Sequence, residues 1–358
     1  MIPISIPNLY KSDTKLAIDA IKSGFIAHGP NIELFEKKFS SFCNRKYGIT
    51  CNNGTTALYM AIKALKLPKG SEVILPSMTI VSCLTAIIEN DLVPVFCDVN
   101  ELTWNIDIEL VRQHVTNNTS AILIVDTYGL MVNADEIDLF KADFPHIKII
   151  EDASEAHGAL YKKRKAGSIG DVSTFSFYAN KIITTGEGGM VLTDDEDIRN
   201  ELLLLRNLNF IDRKRYIHSD AGFNFRLSNL HCSIGLGQLK NIDTTIKHRK
   251  RIAKQYNKHF ANNDNIQIPY IDVHHDNVYW YYSIVIKKNR DKVINALQQN
   301  DIDYRCFFYP LHKQPFMKNN HSFPVSEYLS ENGIILPTYT KLTNKQIKVI
   351  SKIILEQL

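Results

Sequence analysis

The chain has 358 residues, 44% of them hydrophobic and 22% charged, enough to bury one large core and a smaller second one. A formal charge of +4 is too small to imply a nucleic-acid partner. No apolar run approaches the ~20 residues of a membrane helix, and MIPISIPNLYKSDTK lacks a signal peptide's charged start and apolar stretch. A cytoplasmic protein with no membrane or nucleic-acid partner is expected.

In chain order, YGITC (47–51) reads as a short apolar strand that turns into helical NNGTTALYMAIKALK (52–66). EVILP (72–76) is the next strand, followed by a helical run to about Glu89. VPVFCDV (93–99), SAILIVDTYG (120–129) and IKIIEDAS (147–154) are further strands, with an amphipathic helix at 133–143 between the last two. Apolar strands alternating with helices predict a mainly parallel sheet covered on both faces.

Beyond about residue 172 the pattern changes. VSTFSFY and GGMVLTDD read as short strands joined through a glycine-rich turn, and a helix runs from Asp195 to about Arg206. A charged helix over about 235–260, carrying KHRKR at 247–251, leads to strand 279–287, helix 290–299, an aromatic and proline-rich loop at 304–316, and a final helix at 343–357. The expected division is a large domain over 1–245 and a small C-terminal α/β domain over 246–358. The six cysteines (Cys43, Cys51, Cys83, Cys97, Cys232, Cys306) show no metal-like spacing with histidine and read as reduced core residues; no metal site is expected.

Ligands of an open parallel sheet gather at the C-terminal ends of its strands, and three segments with chemical character stand there. Asn53-Gly54-Thr55-Thr56 could hold a phosphate at a helix N-terminus; a plain helix cap reads equally well. Asp152, in the acidic EDASE run after IKII, needs a partner at a buried strand end; a pyridinium nitrogen suits it, and an acidic helix cap is the alternative. Lys181 follows an apolar strand and precedes Gly186–Gly189. A lysine in a confined, partly apolar site can form a Schiff base with an aldehyde cofactor.

NNGTTAL, EVILPSMT, EDASEAHG, GDVSTFSFYANKIITTGEGGM and GFNFRLSNLHCSIGLGQL together resemble the DegT/DnrJ/EryC1/StrS sugar aminotransferases, and the resemblance covers essentially the whole chain. It implies the fold type I of pyridoxal 5'-phosphate (PLP) enzymes, with Lys181 as the catalytic lysine that bonds the cofactor and shuttles the proton. By the same resemblance Asp152 pairs with the pyridine nitrogen and Glu155 lies near the ring hydroxyl. Gly54, Thr55 and Ser176 hold the cofactor phosphate. Asn224 would reach that phosphate from a neighbouring subunit, which implies a homodimer with shared sites.

Ile80 stands where many members stack an aromatic residue on the cofactor, which gives up roughly 0.5–1.5 kcal/mol of stacking. RYIHSDAGFNFRLSN, VYWYYSIVI and RCFFYPLHKQPF most resemble the members that aminate C4 of GDP-4-keto-6-deoxymannose, with L-glutamate as donor. That resemblance places Tyr309 and His312 near the sugar nucleotide, and Arg215 or Arg226 near its diphosphate. A UDP- or dTDP-linked 3- or 4-keto sugar is the alternative acceptor. A sugar dehydratase of this fold would carry histidine in place of Lys181, and a non-catalytic PLP-binding regulator would not need the complete cofactor set.

Overall fold

The computed structural model describes residues 1–210, 216–317 and 321–358. Helices α1 (Lys11–Ser23) and α2 (Pro30–Phe42) precede an alternating run. It comprises β1 (Tyr47–Cys51), α3 (Gly54–Ala64), β2 (Glu72–Pro76), α4 (Val81–Ile88), β3 (Val93–Cys97) and α5 (Ile108–His114). It continues through β4 (Thr119–Val125), α6 (Ala134–Asp143) and β5 (Lys148–Asp152). The short pair β6 (Leu160–Tyr161) and β7 (Arg164–Lys165) leads to β8 (Val172–Ser176), β9 (Gly189–Thr193) and helices α7 (Glu196–Arg206), α8 (Asn229–Lys240) and α9 (Ile242–Phe260). The remainder is β10 (Ile266–Gln267), β11 (His275–Asp276), β12 (Tyr282–Ile286), α10 (Arg290–Gln299), β13 (Arg305–Cys306), α11 (Pro324–Asn332), β14 (Gly333–Leu336) and α12 (Asn344–Leu355).

Seven strands form the main sheet in the order β1-β9-β8-β5-β4-β2-β3. Every neighbouring pair is parallel except the two made by β9, which runs against β1 and β8. The strands are apolar throughout because both faces are covered. Val73, Leu75, Ala121 and Leu123 enter the core on one face, while Ile74, Ile122 and Ile124 enter the core on the other, the two-residue alternation of a strand. This is the α/β fold expected from the sequence, with its mainly parallel sheet.

A second sheet, β10-β12-β14-β13, is antiparallel throughout. Its apolar face packs with Ile252, Tyr256 and Phe260 of α9, Val293 and Leu297 of α10, and Ile347, Ile350 and Ile354 of α12. The charged stretch read as one helix over 235–260 is two helices that break at Asn241. The KHRKR run is partly structural: Arg249 is buried and donates to the carbonyls of Trp280 and Thr338. Residue 245, the expected domain boundary, falls inside α9.

Strand β4 ends at Val125, four residues short of the expected end, where the chain enters a tight turn at Thr127–Gly129 with Tyr128 at a left-handed φ of 52°. Among the described residues no helix is long and apolar enough to cross a membrane, and no cluster of metal-ligating side chains occurs. Five cysteines are buried and Cys306 is exposed; all six are free.

Candidate active site

A cavity of about 410 Å³ opens beyond the C-terminal ends of β1, β2, β4, β5 and β8. At one end stands the N-terminus of α3. Asn53 caps it, its side chain accepting from the Thr56 N–H at 2.8 Å, and the Thr55 hydroxyl lies 2.7 Å from that of Ser82. A Cβ on Gly54 would sit 2.8 Å from Ser176 Cβ, and one on Gly189 would sit 2.3 Å from the Asn53 carbonyl oxygen. Only glycine at these two points lets the helix start close against β8 and β9. The free N–H groups of the first turn, the Thr55 hydroxyl and the Ser176 hydroxyl therefore converge where the helix dipole favours an anion.

Asp152, 3% exposed, ends β5 in the middle of the cavity. Its Oδ1 accepts from the Ser154 N–H (3.1 Å) and the Thr174 hydroxyl (3.3 Å), while Oδ2 faces only the Cys83 thiol, at 3.5 Å. No helix follows it, so it is not a cap. Strand alternation sends the neighbouring Glu151 the other way. That carboxylate accepts from the N–H groups of Gly167, Ile169 and Gly170 and from the Ser173 hydroxyl, and organises the loop before β8.

Lys181 closes the far side. Its Nζ lies 3.9 Å from Glu155 Oε1 and 3.7 Å above the centroid of the Trp280 ring. The backbone N–H of Tyr128 donates to Glu155 Oε2 at 2.8 Å, so the left-handed turn that ends β4 also fixes this carboxylate. Trp280 is held by its indole N–H on the Asn180 carbonyl (2.9 Å) and by Arg249 on its own carbonyl (2.8 Å). Burial holds the Lys181 amine below its ordinary value, against the pull of Glu155 and Asp152. Burial likewise lifts Glu155 to about 7, against the pull of Lys181. Each group is thus drawn toward its neutral form.

This donor set fits PLP: an amine for the aldehyde, a buried carboxylate whose second oxygen meets only a thiol for the ring nitrogen, and a helix N-terminus with two hydroxyls for the phosphate. A second chamber of about 480 Å³ adjoins the first, sharing Ile80, Tyr178, Asn180, Trp280 and Phe308 with it. The N-terminal residues Ile4, Ser5 and Pro7 form part of its wall, with Tyr281 and Arg305.

Of the residues expected from sequence, Gly54, Thr55, Ile80, Asp152, Glu155, Ser176 and Lys181 line the one cavity. Asn224 is exposed and lines no part of it within this chain; its side-chain oxygen accepts from the Arg226 N–H. Arg226 is exposed and donates to Asn207. Tyr309 is 55% exposed and stands outside both chambers. His312 is also outside them: it is buried, with Nδ1 2.6 Å from the Ser77 hydroxyl and Nε2 3.2 Å from Glu327. Both ring nitrogens are thereby committed to packing. Arg215 lies outside the described residues.

Sequence reasoning missed Trp280 and Phe308. Both belong to stretches that stood out, VYWYYSIVI and RCFFYPLHKQPF, but nothing local distinguishes the aromatic that faces Lys181 from its neighbours.

His157, of the same acidic motif, is fully buried among Phe39, Phe175 and Phe177, with only the Ser176 backbone near its ring nitrogens. Burial, reinforced by the Lys181 charge, lowers it from 6.5 to about 3. The folded value lies below the unfolded one, so stability is lost as pH falls from about 6.5 toward 3, where only the unfolded chain takes up the proton. At pH 5 this costs about 2 kcal/mol. His157→Phe should recover most of that at pH 5 and little at pH 8 in urea unfolding of the PLP-loaded protein; an equal shift at both pH values would refute the protonation argument.

Known proteins were compared with this geometry in hand. A GDP-perosamine synthase of Vibrio cholerae is 35% identical over 98% of this chain and 97% of its own. The dTDP-3-amino-3,6-dideoxy-alpha-D-galactopyranose transaminase of Aneurinibacillus thermoaerophilus is 31% identical over 95% of this chain and 93% of its own. A solved structure of S. venezuelae DesV superposes with a TM-score of 0.90 at 28% identity, over 96% of this chain and 93% of that one. The pattern of one family, the DegT/DnrJ/EryC1/StrS aminotransferases, matches residues 7–354. A lysine set in a phosphate-and-carboxylate cavity and a family match along nearly the whole chain agree: the chain belongs to the DegT/DnrJ/EryC1/StrS family and is a PLP-dependent aminotransferase.

Proposed function

We propose that this aminotransferase moves the amino group of L-glutamate to C4 of GDP-4-keto-6-deoxymannose, giving GDP-perosamine. The observation that carries the transfer chemistry is the Lys181 amine, buried beside Glu155 and facing Asp152 across one cavity. The acceptor reading is supported by the GDP-perosamine synthase likeness along both whole chains.

When bound, the cofactor ring takes up the electron pair freed at the substrate carbon. Asp152, with Oδ1 held by Ser154 and Thr174, keeps its other oxygen for the ring nitrogen and favours its protonated form. The start of α3 with Thr55 and Ser176 anchors the phosphate. The lowered basicity of Lys181 would leave its Nζ free to hold and move the proton at the reacting carbon, in one direction for the donor and in the other for the acceptor. Glu155, lifted to about 7 by burial, stands beside Lys181 as a second group that can hold a proton near neutral pH. Trp280 covers the amine and excludes water from it.

We assign Asn224 to the phosphate of a second copy's site, making the enzyme a homodimer. It is exposed and outside its own cavity, as a residue serving another chain must be. We also divide the chain into a large domain to about 245 and a small one after it. Mixing Asn224→Ala with Lys181→Ala protein should restore up to about a quarter of wild-type activity through dimers with one intact site; no recovery would place Asn224 elsewhere.

The acceptor is tested by incubating the enzyme with glutamate and GDP-, UDP- and dTDP-linked 4-keto and 3-keto sugars, and reading the aminated product by mass spectrometry. Amination of the GDP-linked 4-keto sugar alone is expected. Preference for a dTDP-linked 3-keto sugar, the chemistry named for the 31% identical relative, would overturn the acceptor and keep the transfer.

A further inference from the structure

We infer that Ser5, Asn180 and Arg305, in the second chamber, form the subsite that grips the acceptor's phosphate and hydroxyl groups. The inference rests on the aminotransferase reading and specifies how its acceptor is held. The chamber of about 480 Å³ shares five residues with the cofactor cavity, so a ligand there can place one end beside Lys181. Its polar groups are few. Ser5 Oγ and Asn180 Oδ1 are buried atoms without a well-formed hydrogen bond, a costly arrangement that a bound donor relieves. The Tyr281 phenol, near Arg305, reaches toward both as a hydrogen-bond partner, and its single proton can serve only one of them at a time.

Arg305 is exposed on β13, at the chamber wall, and none of the ion pairs among the described residues engages it. The rest of the wall is largely apolar: Ile4, Pro7, Ile80, Trp280, Phe308 and Ile335. The oxygen that the phenol leaves unserved asks for a hydroxyl donor. The guanidinium asks for a phosphate or carboxylate, which it can grip through two parallel N–H bonds. A hydroxylated ring carrying a diphosphate supplies both; an amino-acid donor supplies a carboxylate but no hydroxyl.

The N-terminal segment is built into this wall. Ile2 pairs with Ile302, the Ile4 N–H donates to Asp303 at 3.2 Å, and the Thr338 N–H donates to the Ile4 carbonyl. Ser5 is therefore held in place by the second sheet, so the subsite joins the start of the chain to its last third.

Cys306, next to Arg305, gives a readout independent of turnover. It is the one exposed cysteine and lines the same chamber. In the PLP-loaded enzyme GDP, UDP or dTDP should slow its alkylation by iodoacetamide, and added salt should weaken the protection. Arg305→Met should abolish that protection, raise KM for the nucleotide sugar roughly 10- to 100-fold, and move KM for glutamate by less than about twofold. Ser5→Ala should raise the same KM about 2- to 10-fold.

If no nucleotide protects Cys306, or Arg305→Met leaves both protection and nucleotide-sugar KM intact, the subsite is wrong even where amination proceeds. If glutamate KM rises instead, Arg305 serves the amino donor and the inference is equally overturned. Protection that depends on Arg305 without amination of any keto sugar would uphold the subsite and sink the proposed acceptor.

Discussion

Lys181→Ala should reduce aminotransfer by more than about 10⁴-fold, below detection in an ordinary coupled assay. No other group in the cavity can replace it. Glu155 is held at 2.8 Å by the Tyr128 N–H, and Asp152 is committed through Oδ1 to Ser154 and Thr174. The anchoring cup at α3 and Ser176 does not involve the lysine, so the variant should still bind PLP. The cofactor should then wash out on gel filtration and resist fixation to the chain by borohydride. Folding should be little affected, since removing a buried cation relieves a desolvation penalty that burial imposes on the wild type. Far-UV circular dichroism would check this. Turnover within tenfold of wild type would sink the assignment of Lys181 and with it the reading of the cavity.

The main sheet was legible because its strands are apolar runs flanked by turn residues, and burial on both faces gives just that pattern. That Gly54, Asp152, Ser176 and Lys181 meet in one cavity was legible for a related reason. Asp152 and Ser176 end strands, and Gly54 and Lys181 follow strands within a few residues, so chain order alone sends all four to one edge of the sheet. The second chamber was not legible. Its walls come from Ile4 and Ser5 at the start of the chain, Asn180 in the middle, and Arg305 and Ile335 near the end. No local pattern marks such distant residues as neighbours. His312 differs: a Tyr-Pro-x-His segment signals substrate by resemblance, and in the structure Ser77 and Glu327 occupy both of its nitrogens. Helices α1 and α2 and strand β14 went unread; GIIL is too short an apolar run to tell from a helix end.

Asp152→Asn should lower kcat roughly 10²- to 10³-fold while leaving PLP bound. Asparagine keeps the side chain's shape, and its carbonyl oxygen can still accept from Ser154 and Thr174 where Oδ1 does now. What it loses is the negative charge at the position of Oδ2, whose present neighbour is only the Cys83 thiol. In the proposed placement the ring nitrogen would then lack a counter-ion to hold its proton, and the ring would draw electrons from the reacting carbon less strongly. The loss should therefore appear in kcat for both half-reactions, in equal measure, with little change in either KM. That split separates this residue from Arg305, whose replacement should act on one substrate's KM. A lost ring-nitrogen proton should also be seen directly, as a changed absorption spectrum of the bound cofactor across pH. If Asp152→Asn instead raised both KM values and left kcat within threefold, the carboxylate would be a packing element of β5, and the charge argument built on its free oxygen would fail.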